Sequence, residues 1–168
     1  MIQIYSHGTT TVALAPIVAA PGMSRRCAER AAVDAILERL VPGASLGHTA
    51  AGAPVLEGSR LHISISHSAR TAAVAIDPAR RIGIDIEDLD RGRQIERVAS
   101  RVLSAGELER YAGRLIEAWT LKEALYKISD DPGVDWRASL PIPPALPARL
   151  IHTGRAGDSW LSLVARPV

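Results

Sequence analysis

The chain has 168 residues, 47% of them hydrophobic and 23% charged, and twenty basic against eighteen acidic side chains leave a formal net charge of +2. That suffices for one domain or two tightly packed halves and excludes a disordered chain, while so small a basic surplus implies no nucleic-acid partner. Cys27 is the only cysteine, which excludes an internal disulfide and a cysteine-rich metal site. The apolar stretch from Val12 to Ala20 is broken by Pro16 and is far shorter than a membrane span, so neither a signal peptide nor a transmembrane helix is expected, and the expected compartment is the cytoplasm.

In chain order, Ile2 to Tyr5 alternates as a first strand, and Ser6 to Gly22, punctuated by Gly8, Pro16, Pro21 and Gly22, reads mostly as loop with short strand. Ser24 can cap a helix in which Cys27, Ala31 and Ala35, with Ala28, Ala32, Ile36 and Leu40, recur at helical spacing until Pro42 and Gly43. Arg25, Arg26 and Arg30 at its start run against the helix dipole, which suits an anion nearby but also an ordinary exposed surface. Short strands follow at Val55-Leu56, Leu61 to Ser66, Ala72 to Ile76 and Ile82 to Glu87. Helical spacing returns through Ile95, Val98, Ala99 and Val102, then Ser104 caps with Glu107, and a longer helix spans about Arg114 to Ser129. Asp130-Asp131-Pro132-Gly133 stops it, a proline-rich connection runs from Pro141 to Pro147, and two strands, Arg149 to Thr153 and Trp160 to Ala165, close the chain around a hairpin at Gly154 to Asp158. The expected fold is α+β, two similar halves divided near Asp77-Pro78 (1–78 and 79–168), each a small antiparallel sheet packed on helix.

Three segments carry possible chemistry. In Ile82-Gly83-Ile84-Asp85-Ile86-Glu87 the strand period of two puts the isoleucines on one face and Gly83, Asp85 and Glu87 on the other, with the carboxylate Cβ atoms about 6 to 7 Å apart and open space beside Gly83. Two such carboxylates can share a cation; the pattern is also that of a solvated edge-strand face. In the apolar helix around Trp119, a narrow polar stripe of Thr120, Glu123 and Lys127 could serve a cleft or form an ordinary surface ion pair. His67, between Ser66 and Ser68 at a strand end, can face a ligand or serve structure.

Taken in order, Ile65-Ser66-His67-Ser68, Ile82-Gly83-Ile84-Asp85-Ile86-Glu87 and Trp119-Thr120-Leu121-Lys122-Glu123-Ala124-Leu125-Tyr126-Lys127 closely resemble the 4′-phosphopantetheinyl transferase superfamily, nearest to its surfactin-synthetase-activating (Sfp-like) type. The resemblance extends loosely from the first helix to the end of the long one. It implies a pseudo-two-fold fold and a magnesium-dependent enzyme of the holo-[acyl-carrier-protein] synthase class. Such an enzyme transfers the 4′-phosphopantetheine arm of coenzyme A to a serine of an apo acyl or peptidyl carrier protein, releasing adenosine 3′,5′-bisphosphate.

By the same resemblance Asp85, Glu87 and Glu123 hold magnesium, which favours hard oxygen ligands. Glu123 is also the base and Lys127 the partner of the reacting phosphate, so these two form the catalytic pair. Lys122 reaches a further phosphate oxygen, and Ser66 and His67 lie on the coenzyme A side, His67 against the 3′-phosphate. Arg25, Arg26 and Arg30 are candidate anion partners. Ala53 departs from the family, which commonly has lysine there, and so does Ile128-Ser129-Asp130-Asp131 in place of a glycine-containing turn. Because one chain supplies both halves, a monomer is expected. Two other readings compete: a silent relative that binds carrier protein or coenzyme A without transfer, and a metal-dependent phosphohydrolase using the same carboxylates.

Overall fold

The computed structural model describes residues 1–129, 133–142 and 150–167. β1 (Gln3–His7), β2 (Thr10–Pro16), β5 (His62–His67) and β6 (Thr71–Asp77) form an antiparallel sheet in the order β1-β2-β6-β5. β3 (Leu46–His48) and β4 (Pro54–Leu56) pair as a short ribbon, and β7 (Arg80–Asp88), β8 (Leu150–Ala156) and β9 (Ser159–Pro167) form a second antiparallel sheet in the order β7-β9-β8. The α-helices are α1 (Arg25–Leu40), α2 (Gly92–Val102), α3 (Ala105–Arg110) and α4 (Leu115–Lys127); a 3-10 turn at Leu89–Arg91 leads into α2.

β2 takes up more of Ser6 to Gly22, expected to be mostly loop with short strand, than a short strand would. Its Val12 and Leu14 pack with Ala73 and Ala75 against the second sheet, while Ala13 and Ala15 pack with Ala72 and Val74 against α1. A strand buried on both faces shows no alternation, which is why its sequence does not read as one. The two sheets meet face to face through a core that adds Ile82, Ile84, Ile86, Leu161 and Leu163. α1 covers the outer side of the first sheet, and α4 the outer side of the second, where Ala118, Leu121, Ala124 and Leu125 join Ala99, Leu103 and Val164.

Local signals behave as their chemistry dictates. Ser24 Oγ accepts from the Cys27 amide, and Ser104 and Glu107 make a reciprocal capping box. The buried face of α1 is Ala28, Ala32, Val33, Ile36 and Leu37, so Cys27, Ala31 and Ala35, expected to share it, are exposed instead. The β8–β9 hairpin is tighter than expected: Ala156 pairs with Ser159, leaving Gly157 and Asp158 as a two-residue turn with Gly157 at φ +62°. The helix stop at Asp130-Asp131-Pro132, most of the proline-rich connection and Arg149 lie outside the described residues.

The chain crosses between sheets at Pro78-Ala79, and Asp77 organises that turn. Its Oδ1 accepts from the amides of Ala79 (2.9 Å) and Arg80 (2.8 Å), and its Oδ2 from the Thr10 hydroxyl (2.6 Å) and the Arg80 guanidinium (3.0 Å). Burial alone would raise this carboxyl's pKa; the hydrogen bonds outweigh it and hold the group well below the usual carboxylate range. Among the described residues no helix is long and apolar enough to cross a membrane.

Candidate active site

Gly83 determines how closely α4 approaches β7. A Cβ there would lie 2.0 Å from the Ala124 carbonyl oxygen, so the space beside the β7 carboxylates, expected to be open, is filled by helix backbone. This close crossing seats Glu123 beside Asp85 and Glu87. α2 contributes Gln94, Ile95 and Val98, and the strand end of β5 contributes His67, enclosing a cleft of about 370 Å³ that Arg91 and Trp119 also line.

Asp85 Oδ1 accepts from the Ser66 hydroxyl (2.7 Å) and from Lys127 Nζ (2.9 Å), and Lys127 also donates to the Ile84 carbonyl (2.7 Å). Glu87 Oε1 accepts from the Asp88 amide, and Arg91 donates to its Oε2 at 3.2 Å. Burial raises the proton affinity of Glu87, with the neighbouring Asp85 and Asp88 charges adding to it against Arg91 and the Asp88 amide. Glu123 is pushed up to about 7, first by burial and then by Asp85, with Glu87 adding and Lys127 opposing. A carboxyl titrating near neutrality can accept a proton in one step and release it in the next.

Asp85, Glu87, Glu123 and His67 are thus brought into one cleft. His67 is half-exposed, with Nδ1 3.6 Å from Glu29 Oε1 of α1. Arg25 binds the same Glu29 oxygen (2.6 Å) and donates to the Ser68 carbonyl (3.3 Å), which holds the start of α1 at the cleft rim. Arg26 is exposed, and Arg30 lies 3.8 Å from Asp34; neither lines the cleft. Ser66 is buried and spends its proton on Asp85. Lys127 joins Ala53, Ser64 and Tyr126 in lining an adjoining pocket of about 580 Å³, which meets the cleft at the Lys127–Asp85 pair.

Lys122 corrects the sequence expectation. It is fully buried, paired with Glu107 at 2.9 Å, and donates to the carbonyls of Trp136 (2.7 Å) and Leu140 (2.6 Å). One residue from Glu123 on a helix means about 100° of rotation, which turns its ammonium away from the cleft and into the contact with α3. It cannot reach a phosphate there. The sequence reading missed Glu29, Arg91 and Trp119; Arg91, four residues after Glu87 at the strand-to-helix turn, and Glu29, four residues after Arg25 on α1, each left a charge-pair signal.

Among the described residues no three His, Cys, Asp or Glu side chains are grouped as metal ligands. The donor set of the cleft is nonetheless three carboxylates whose burial and mutual repulsion a hard cation would relieve, and magnesium typically completes its shell with water and substrate phosphate. Hard carboxylate oxygens are the donor type that ion takes.

Residues 81–155 match the family model of the 4′-phosphopantetheinyl transferase superfamily. The match begins in β7 and contains Asp85, Glu87 and all of α2, α3 and α4, while His67 lies before it. No curated protein matches the chain.

Proposed function

We propose that this protein transfers the 4′-phosphopantetheine arm of coenzyme A to a serine of an apo acyl or peptidyl carrier protein, leaving adenosine 3′,5′-bisphosphate. The observation that carries this reading is the convergence of Asp85, Glu87 and Glu123 beside His67 in one cleft, within or next to the segment that matches the family. The carrier serine attacks the phosphorus bearing the pantetheine arm, and Glu123, directly or through a water, takes its proton. Lys127 supplies positive charge for the reacting phosphate from the junction of the two pockets. With magnesium bound by Asp85, Glu87 and Glu123, the charge that builds on the pyrophosphate oxygens and the leaving bisphosphate is neutralised. His67, with Arg25 behind it, receives the 3′-phosphate end of coenzyme A.

The chain reads as two halves, 1–78 and 79–168, related as in the surfactin-synthetase-activating type; the first gives His67 and the second the carboxylates and Lys127. One chain then holds a whole site, which favours a monomer, and the absence of any need for a membrane or an oxidising compartment suits the cytoplasm. The test is the intact mass of an apo carrier protein after incubation with this protein, coenzyme A and magnesium. A gain of one phosphopantetheine, abolished by chelator and by Glu123→Gln, supports the reading; no gain across acyl and peptidyl carriers overturns it.

A further inference from the structure

β5 and β7 are neighbours that share no backbone ladder. Among the described residues β5 pairs only with β6 and β7 only with β9, so each offers a free edge or face to the other. The amides of β7 that would be orphaned there are met by side chains: Ile84 N–H donates to Ser64 Oγ (3.0 Å) and Ile86 N–H to Ser66 Oγ (3.3 Å). Both strands repeat with a period of two, so serines two apart on β5 match amides two apart on β7, with the strands running parallel along the seam. Ser64 is 3% exposed and Ser66 7% exposed, which removes water as a substitute partner.

The two serines differ in one respect. A hydroxyl has a single proton to give, and that of Ser66 goes to Asp85 Oδ1 at 2.7 Å. Lys127 Nζ donates to the same oxygen at 2.9 Å, so both donors hold Asp85 by Oδ1, and among the described residues no donor engages Oδ2. From this we infer that Ser66 is a positioning residue: its hydroxyl, locked to the Ile86 amide, fixes the rotamer of Asp85 so that one carboxylate oxygen is satisfied within the protein and the other is left for a divalent cation. Ser64 is the same seam contact without that duty. The inference rests on the cation-binding reading of the cleft and assigns Ser66 a role other than direct contact with coenzyme A. Partners that orient a metal-binding carboxylate typically change ion affinity by 10- to 100-fold when removed.

The test counts bound Mn²⁺ by the loss of the free-ion electron paramagnetic resonance signal, with coenzyme A present, for the wild-type protein, Ser64→Ala, Ser66→Ala and Ser66→Thr. Urea denaturation of the same four proteins measures the seam. Both alanine variants leave a β7 amide without its partner and should lose stability, Ser66→Ala more so because it also gives up the hydrogen bond to Asp85. Only Ser66→Ala should weaken Mn²⁺ binding, by about tenfold or more, with Ser66→Thr, which keeps the hydroxyl, restoring it and Ser64→Ala within about twofold of wild type. Equal Mn²⁺ affinity for Ser66→Ala and wild type, or equal weakening by both alanine variants, overturns the positioning role while leaving the cation site intact. Failure of the wild-type protein itself to take up Mn²⁺ overturns the cation reading and the positioning role with it.

Discussion

Replacing Glu123 with glutamine should make the metal-free protein more stable and leave it inactive. Glu123 is pushed from an ordinary 4.5 up to about 7. A carboxyl whose pKa is raised by folding stabilises the native state below its unfolded pKa, and that contribution is lost as pH rises through the folded value. At 1.36 kcal/mol per pKa unit, a rise of about 2.5 units costs the ionised wild-type protein about 3 kcal/mol above pH 8 and only a few tenths near pH 4.5. Glutamine matches the neutral carboxyl in shape and does not titrate. Urea denaturation in chelator should therefore give near-equal stabilities for the two proteins at pH 4.5, and Glu123→Gln ahead by up to about 3 kcal/mol at pH 8.5. Magnesium should close the gap by stabilising only the wild-type protein. A variant less stable than wild type at pH 8.5, or a gap that is the same at both values, would refute the argument from burial and mutual repulsion.

Other perturbations test the supports of the cleft. Gly83→Ala sets a methyl group 2.0 Å from the Ala124 oxygen and should lower stability by about 3 kcal/mol or more in thermal melts, with α4 displaced; a melt within a degree or two of wild type would contradict the close crossing. Lys122→Ala leaves Glu107 buried without its cation and should cost about 3 to 5 kcal/mol, with transfer activity falling only as the folded fraction falls; a loss of activity in fully folded protein would restore Lys122 to the site. Asp77, held low by its hydrogen bonds, stabilises the protein above its unfolded pKa, and this contribution is lost as pH falls below about 4; Asp77→Asn should flatten that acid limb in denaturation curves and lower stability at neutral pH. His67→Ala should weaken coenzyme A far more than 3′-dephospho-coenzyme A in calorimetric titrations, and equal losses would remove it from the 3′-phosphate.

Legibility in the sequence followed how local the determining physics was. α1 carries its own cap and α2 its own periodicity, and β7 writes its two faces in strict alternation, so the core-facing isoleucines and the carboxylate face could be read directly. β2 could not, because a strand covered on both sides looks like any apolar run, and the three-residue β3 is too short to show a period. The roles of Gly83, Ser66 and Lys122 depend on which element lies across from them. Gly83 meets a helix backbone 41 positions later, Ser66 meets a strand 19 positions later, and Lys122 turns toward Glu107 and the loop at Trp136, so spacing along the chain gave no sign of these contacts.

The pairing of β7 with β9 has a consequence for how the protein is made. Asp88 of β7 is joined to Ser159 of β9, 71 residues later, and β9 is the central strand that β8 also needs. Leu161, Leu163 and Ala165 of β9 also complete the core between the sheets. During synthesis the inner face of the first sheet is therefore formed long before the strand that helps cover it has left the ribosome. Nascent chains halted before Ser159 should bind holdase chaperones and precipitate when released, whereas chains carried through β9 should be released soluble.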